Sequence, residues 1–350
     1  MKILGWARPH RGPCPIARRH SGPHATQVWI ARARRIPVWA LAFAGRHRFN
    51  AAVQWNKVAL IGVGLLGGSL GLALRRRQLA GSVHGLVRRE TSITEALACE
   101  AVDAATLDPR EAVVDADLVV LCTPIAQMRP LTDLILPHLS PGALVTDVGS
   151  VKASVVRNLE SPVQEGGGHF VGSHPMAGSE RTGVAESKAD LFVGAPCVVT
   201  DTEASDPGAV ERVEALWQSV GGCPLRMDPD RHDELVARVS HAPHVMAAVM
   251  ARYALNPEFP AAQSRLGATG FRDTTRVASG SPEVWRDICQ ANRGHLSRIL
   301  EDMMGELEAF QTLLARSDSD GLMTFFAEAK QRRDDWERQW KDRGRISPAE

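Results

Sequence analysis

Three glycines near residue 65 have the spacing of a phosphate-binding turn. Gly62, Gly64 and Gly67 form the pattern G-x-G-x-x-G. The apolar run at residues 58–61 before them is typical of a buried strand, and the residues after them are apolar at helical spacing. A strand, a tight turn and a helix N-terminus in this order present free backbone N–H groups to a pyrophosphate. Glycines alone would indicate only a turn, but this context predicts a dinucleotide site formed by Gly62, Gly64, Leu65, Leu66 and Gly67.

Two arginines stand where the second strand of such a unit ends. Residues 82–87 are predicted to be that strand, and Arg88 and Arg89 follow Val87 directly. Units that bind NAD carry an acidic residue there for the ribose hydroxyls. Two guanidiniums instead favour a 2′-phosphate, because they neutralise its charge and bind its oxygens in pairs. The sequence therefore favours NADP, and the alternative is that both arginines are solvated loop charges and NAD is used.

Two later predicted strands end in small polar residues. Residues 117–122 are followed by Thr123 and Pro124, and the strand at residues 144–148 is followed by Ser150. Ligands of open α/β sheets bind beside the carboxyl ends of the strands. Thr123 and Pro124 are therefore predicted to contact the cofactor, and Ser150 to lie where cofactor and substrate meet. The alternative for Ser150 is a helix N-cap.

Three histidines are candidates for proton transfer or ligand contact. His174 lies in a loop rich in Gly, Ser and Pro after a short predicted strand, and imidazole exchanges protons near neutral pH. His241 and His244 are three residues apart on one helical face, and Pro243 between them is predicted to kink the helix. No acidic or thiolate partner stands at ligand spacing, so no metal is expected, and ligand contact or helix packing is favoured.

A polar segment at residues 267–278 carries two arginines. Arg272 and Arg276 are four residues apart. A structural ion pair with Asp273 or Glu283 is one interpretation, and an arginine directed at a substrate carboxylate is the other. Trp285 follows on a new helix that begins at Pro282.

The elements that must position these residues form two domains. Strands and helices alternate over residues 57–227, which predicts an α/β domain of the Rossmann type with a parallel sheet. Helical patterns prevail over residues 228–350, and the apolar stripe at residues 290–314 is typical of a helix that packs against a partner subunit. Residues 1–56 are a basic extension, interpreted as a targeting segment, a disordered arm or, preferably, residues upstream of the true start near residue 53.

Bulk properties exclude several classes of protein. The formal net charge of +1 argues against a nucleic-acid-binding protein. The six cysteines include no C-x-x-C pair, which indicates buried thiols in a reducing compartment, here taken as the cytoplasm. No apolar run reaches the roughly 18 residues of a membrane span.

The combined motifs resemble the prephenate/arogenate (cyclohexadienyl) dehydrogenases of tyrosine biosynthesis. The resemblance rests on the glycine-rich start and on residues 147–152, 172–178, 240–244 and 270–276, of which the His-Pro-Met-Ala-Gly run at 174–178 is the most specific. It covers residues 57 to about 340. It implies a Rossmann domain followed by an all-α dimerisation domain, a homodimer, and oxidative decarboxylation of prephenate, arogenate or both with NAD(P)+.

The resemblance also implies roles for single residues. His174 matches the catalytic histidine that accepts a hydrogen bond from the ring C4 hydroxyl, and Ser150 matches the serine that orients both groups. Arg276 matches the arginine that binds the ring carboxylate. The remaining matches line the pocket or stand beside Arg276, and they are His241, His244, Trp285 and Arg272.

Two alternatives remain open at this point. The first is another NADP-dependent dehydrogenase of the same build, acting on a β-hydroxyacid or an imino acid. The second is a catalytically silent nucleotide-binding scaffold. Within the family, NAD-using members carry Asp where this sequence has Val87, and this departure resembles the NADP-using arogenate dehydrogenases.

Overall fold

The computed structural model describes residues 54–179, 181–259 and 262–343. Most of the predicted basic extension, residues 1–53, lies outside the described residues. The first strand already begins at Trp55, two residues before the predicted start of the domain at residue 57. Trp55 is fully buried, because its ring packs into the apolar cluster beneath the sheet.

A parallel sheet of six strands forms the first domain. The strands are β1 (Trp55–Ile61), β2 (Ala80–Leu86), β3 (Ala104–Thr106), β4 (Leu118–Leu121), β5 (Leu144–Asp147) and β6 (His169–Val171). Their order is β3-β2-β1-β4-β5-β6, and every pairing is parallel. The order changes direction between β1 and β4, which opens a ligand crevice at the carboxyl ends of these two strands. The predicted Rossmann-type domain is therefore confirmed.

Helices cover both faces of this sheet. They are α1 (Leu65–Arg76), α2 (Glu90–Ala98), α3 (Pro109–Val113), α4 (Ile125–Ile135), α5 (Ala153–Glu165) and α6 (Pro207–Ser219). Neighbouring residues of a strand point to opposite faces, so Leu60 joins the apolar cluster around Trp217, whereas Ile61 joins the cluster around Met128. Burial on both faces explains why residues 58–61 of β1 and the whole of β4 are continuous apolar runs.

A small second sheet carries the candidate histidine. Its strands are β7 (Ser173–Pro175), β8 (Pro196–Thr200) and β9 (Cys223–Met227), with β7 antiparallel and β9 parallel to β8. Gly172 alone separates β6 from β7, so His174 is held at the end of the large sheet. The sequence did not indicate β9, because this edge strand is largely exposed and lacks an apolar alternation.

The rest of the chain is helical. It contains α7 (Pro229–Val236), a π-helical turn (Ala237–His241), α8 (Ala242–Ala254), α9 (Ala262–Arg265), α10 (Thr269–Thr275), α11 (Pro282–Ala291), α12 (Arg293–Ala315) and α13 (Ser319–Arg343). The interruption predicted at Pro243 takes the form of the π-helical turn just before it, because proline has no N–H for the regular helical bond. Asn292 divides the helix expected at residues 290–314 into α11 and α12.

Within the described ranges, no helix is both long enough and apolar enough to cross a bilayer.

Candidate active site

The turn between β1 and α1 has the shape that the glycine pattern predicts. Gly62 has a φ of +101°, a conformation that residues with a side chain rarely adopt. A Cβ at Gly67 would collide with the carbonyl oxygen of Gly62, so the close packing of helix on strand requires glycine there. Helix α1 has Gly64 as its N-cap and no side-chain cap, so its first N–H groups are available to a ligand.

The end of β4 completes one wall of this crevice. The Thr123 side chain lies against the turn, with its Cγ2 atom 2.8 Å from where a Cβ of Gly62 would stand. Its Oγ1 atom is buried and has no hydrogen-bond partner among the described residues. Pro124 is the N-cap of α4. An uncapped helix start, an open position at Gly64 and an unpartnered hydroxyl fit a bound dinucleotide.

Arg88 and Arg89 lie at the end of β2, on the same edge of the sheet as the glycine turn. Both side chains are exposed, and they line a shallow cavity of about 210 Å³. Within the described part of the chain, neither guanidinium has an ion-pair partner. Two exposed guanidiniums at this edge of the sheet can bind an anionic group.

His174 begins a chain of three buried side chains that runs between the two domains. Its Nδ1 atom lies 2.9 Å from Nε2 of His232, and the two rings meet edge to face at 76°. The Nδ1 atom of His232 lies 2.8 Å from Oδ1 of Asp233. His174 is 8% exposed, and the other two residues are 1% exposed. The chain links β7 of the first domain to α7 of the second.

Asp233 is fixed by the backbone of the first domain. Its Oδ1 atom accepts a hydrogen bond from the N–H of Lys152 at 2.7 Å, and its Oδ2 atom accepts one from Ala153 at 2.9 Å. These N–H groups belong to the first turn of α5, where a carboxylate also interacts favourably with the helix dipole. The carboxylate of Asp233 therefore caps α5 and holds His232 at the same time.

A buried ion pair fixes the strand ends beside His174. The ammonium of Lys152 contacts Asp147 and donates a hydrogen bond of 2.7 Å to the carbonyl of Ser173. Asp147 in turn accepts hydrogen bonds from the N–H groups of Gly149 at 2.7 Å and Ser173 at 3.0 Å. Both side chains of the pair are fully buried. The pair ties the end of β5 to β7, the strand that carries His174.

Ser150 lies on the loop between β5 and α5, half-buried beside this ion pair. Lys152, and not Ser150, is the N-cap of α5, so the N-cap interpretation of Ser150 is wrong. Among the described residues no hydrogen bond joins Ser150 to His174, and the backbone of Ser150 faces the ring of His241. The orienting role of Ser150 stays a prediction.

Burial keeps the histidines of the site neutral. It lowers the pKa of His174 well below its usual value of 6.5, and the electrostatic interactions with the His232 ring and the Lys152 ammonium lower that pKa further. Burial also lowers the pKa of His232, although Asp233 opposes this effect. The pKa values of His241 and His244 fall to about 4 for the same reason. His174 is thus a neutral imidazole at physiological pH.

The helical domain contributes an aromatic wall. The ring of His244 stacks on Trp285 with centroids 3.3 Å apart and an angle of 19°. His241 meets the same Trp285 edge to face at 6.1 Å. Nδ1 of His241 lies 3.1 Å from the amide nitrogen of Asn292, and its Nε2 atom is buried without a partner among the described residues. These contacts place the three predicted pocket residues together.

The two arginines differ in their positions. Arg276 begins a 3₁₀ turn (Arg276–Ser279) that packs against α8, the helix of His244, and its side chain is exposed. Arg272 has a side chain that is 76% exposed and pairs with Asp273 at 3.3 Å, which matches the structural alternative considered for it. The structure therefore brings Arg276 near the aromatic wall but does not bring Arg272 to the histidine chain.

Sequence reasoning missed the residues that support His174. Asp147 and Lys152 stood inside a segment already singled out, and their five-residue spacing across a strand end was a usable signal. The sequence carried no signal for His232 and Asp233, because they lie in a charged stretch that is typical of an exposed helix surface. Within the described ranges, no three His, Cys, Asp or Glu side chains are grouped so that they could hold a metal ion.

The fold and the site define a two-domain, nucleotide-binding protein with a buried histidine chain between its domains. The family model described as the nucleotide-binding domain of prephenate dehydrogenase matches residues 70–224, and the model of its dimerization domain matches residues 228–328. The chain belongs to the prephenate dehydrogenase family. The resemblance found in the sequence is confirmed.

Individual relatives agree with this assignment. The prephenate dehydrogenase of Bacillus subtilis is 32% identical over 282 residues, which cover 80% of this chain and 76% of the relative. The cyclohexadienyl dehydrogenase of Zymomonas mobilis is 32% identical over 80% of this chain and 95% of its own length. The crystal structure of prephenate dehydrogenase from Aquifex aeolicus with hydroxyphenyl propionate and NAD+ aligns with a TM-score of 0.75 at 31% identity, covering 80% of this chain and 98% of that one.

Proposed function

We propose that this protein carries out the oxidative decarboxylation of prephenate to 4-hydroxyphenylpyruvate, of arogenate to tyrosine, or of both, with NAD(P)+, in tyrosine biosynthesis. The observation that carries the proposal is the neutral, buried His174 at the junction of a nucleotide-binding and a helical domain. The relatives named above support it. The Aquifex complex holds a phenol with a carboxylated side chain, which is close in chemistry to the expected product.

The residues present suit this chemistry. When bound, the nicotinamide ring supplies the acceptor for the hydride that leaves ring carbon C4. His174 accepts the proton of the C4 hydroxyl as the carbonyl forms, which requires the neutral imidazole that burial maintains. The carboxylate on C1 then departs as carbon dioxide, its bonding electrons enter the ring, and the ring becomes aromatic.

The remaining site residues are assigned to binding and orientation. Ser150 orients the C4 hydroxyl and His174, and Arg276 binds the ring carboxylate. His241, His244 and Trp285 enclose the substrate side chain, and their stacked rings support this role by forming one wall. Arg272 provides a second basic group beside Arg276. Thr123, Pro124 and the glycine turn hold the cofactor.

The cofactor is proposed to be NADP rather than NAD. The nucleotide-binding domain supports the use of either, and the preference rests on Arg88 and Arg89. A 2′-phosphate between two guanidiniums gains charge-assisted hydrogen bonds that a hydroxyl pair does not provide. Val87 leaves no carboxylate at that position to bind the ribose hydroxyls of NAD.

The protein is further proposed to act as a homodimer in the cytoplasm. The match to a dimerization domain supports the dimer, as does a set of exposed apolar side chains on α12 and α13, namely Met304, Leu307, Leu314, Met323 and Phe326. The cysteines of the described ranges are free thiols, which supports a reducing compartment.

The test is a four-way rate comparison on purified protein. Prephenate and arogenate are each supplied with NAD+ and NADP+, and formation of the reduced cofactor is followed by absorbance. Turnover with at least one pair is expected, and replacing His174 by Asn is expected to lower kcat with little change in KM. Absence of turnover in all four reactions, from folded protein, would contradict the proposal. Turnover of a β-hydroxyacid instead would identify the alternative enzyme.

A further inference from the structure

We propose that His232 and Asp233 are positioning residues, which fix the tautomer of His174 so that its Nε2 atom carries the lone pair. The proposal rests on the proposed function, because the reaction there requires His174 to accept a proton. Neither residue touches the substrate in this scheme. They act through the hydrogen bonds of the buried chain that ends at His174.

The donor and acceptor of each hydrogen bond in the chain can be deduced by starting from Asp233. Backbone N–H groups can only donate, and two of them, from Lys152 and Ala153, point at the two carboxylate oxygens. Asp233 is therefore an acceptor on both oxygens. The third contact of the carboxylate, with Nδ1 of His232, then requires the proton to sit on that nitrogen.

The proton position on His232 determines the donor of the hydrogen bond between His232 and His174. A neutral His232 with its proton on Nδ1 has its lone pair on Nε2. That atom lies 2.9 Å from Nδ1 of His174, which must therefore be the donor of this bond. The single proton of neutral His174 is then on Nδ1, and Nε2 is left as an acceptor. A histidine side chain in water favours the opposite tautomer, with its proton on Nε2, so the protein must impose this one.

The imposed tautomer has a direct consequence for the reaction. With the proton on Nε2, His174 would present an N–H to the C4 hydroxyl and could not accept its proton. In the Ser-His-Asp triad of serine proteases, loss of the carboxylate that fixes the histidine tautomer lowers kcat by about 10⁴. The chain seen here has the same order of groups, with one imidazole inserted between the carboxylate and the reacting base.

Histidine tautomers can be observed without any turnover. The protein is labelled with ¹⁵N-histidine, and the two ring nitrogens of each histidine are correlated with the ring protons by NMR. The His174 signal is assigned by its loss in the His174→Asn variant. We expect a neutral His174 with a protonated Nδ1 in the wild-type protein. A wild-type His174 that carries its proton on Nε2 would overturn the proposal.

Variants of His232 test the effect on the reaction. His232→Leu removes the acceptor, and we expect His174 to revert to the Nε2–H tautomer and kcat to fall at least about 100-fold, with KM changed less than about threefold. His232→Gln places an amide oxygen where Nε2 stood, so it should keep the Nδ1–H tautomer and recover most of kcat. His138→Gln, which changes a histidine in the 3₁₀ turn (Leu136–His138) after α4, should leave both the His174 tautomer and kcat unchanged.

The outcomes separate this proposal from the proposed function. An unchanged kcat in folded His232→Leu, or equal losses in the Leu and Gln variants, would contradict the positioning role. If the wild-type protein turns over none of the four substrate and cofactor pairs, the proposed function fails, while the wild-type tautomer still decides whether His232 and Asp233 control His174. If the Leu variant does not fold, the wild-type spectrum and the Gln variant remain sufficient.

Discussion

The side-chain amide of Asn292 donates a hydrogen bond of 2.8 Å to the backbone carbonyl of Asp233. The same nitrogen lies 3.1 Å from Nδ1 of His241, so one residue at the start of α12 supports both the histidine chain and the aromatic wall. Asn292 is 2% exposed, and water cannot replace these bonds. Asn292 is also the residue at which α11 ends and α12 begins.

Replacing Asn292 by Leu should therefore lower the free energy of unfolding by about 1–3 kcal/mol, because a buried carbonyl and a buried ring nitrogen lose their partner. Urea denaturation followed by circular dichroism measures the change. Asn158→Leu is the matched control, since Asn158 is exposed on α5. Equal stabilities of the two variants would show that the buried bonds contribute nothing.

Breaking the buried pair of Lys152 and Asp147 should have a larger effect. Lys152→Met leaves an unpaired carboxylate in the interior and should cost about 3–5 kcal/mol of stability. The double variant Lys152→Met/Asp147→Asn removes that charge, so it should recover part of the loss. Urea denaturation of the three proteins provides the comparison. A double variant less stable than Lys152→Met would contradict the interpretation.

The pH dependence of the reaction should reflect the lowered pKa of His174. The reaction uses the neutral imidazole, so activity is lost as the pH falls through that pKa. Because the pKa lies well below 6.5, kcat should stay level from pH 8 to pH 6.5 and decline only in more acidic solution. A profile of kcat against pH with saturating substrate tests this, with enzyme stability checked at each pH. A midpoint at or above 6.5 would be inconsistent with a buried, neutral His174.

Stability should also fall toward acid pH. Histidines with a lowered pKa bind protons in the unfolded chain near pH 6.5 but not in the folded protein, so acid favours unfolding. Below pH 6.5, each such residue lowers the free energy of unfolding by up to about 1.4 kcal/mol for each unit by which the pH falls. The variant His241→Asn lacks a histidine whose pKa is about 4. Between pH 6.5 and 5, its free energy of unfolding should therefore fall less steeply than that of the wild-type protein. Parallel curves for the two proteins would disprove this assignment.

Cofactor choice should depend on the two arginines after β2. Arg88→Ala/Arg89→Ala should raise KM for NADP+ by roughly 10- to 100-fold, because charged hydrogen bonds are lost, and leave KM for NAD+ nearly unchanged. Steady-state kinetics with both cofactors measure the ratio of KM for NADP+ to KM for NAD+. Arg110→Ala, an exposed arginine on α3, serves as the control. A parallel change with both cofactors would remove the argument for a 2′-phosphate site.

The sequence was sufficient where chemistry depends on local pattern. The glycine turn and the ends of β4 and β5 could be placed because strand ends of a parallel sheet converge on one edge. The prediction that His174 lies in a loop was wrong, because residues 173–175 pair with β8 as strand β7. His232 and Asp233 could not be predicted, since their burial depends on the packing of α7 against α5, far apart in the chain. The outward position of Arg272 likewise depends on which face of α10 packs against its neighbours.

The histidine chain takes its members from both domains, so the geometry of the chain depends on how the two domains are packed together. Asp233 belongs to the helical domain, yet the N–H groups that anchor it and the imidazole that it serves belong to the nucleotide-binding domain. A hinge opening of a few ångströms would break all of these bonds together. The hydrogen bonds that orient His174 therefore exist only while the two domains are in contact.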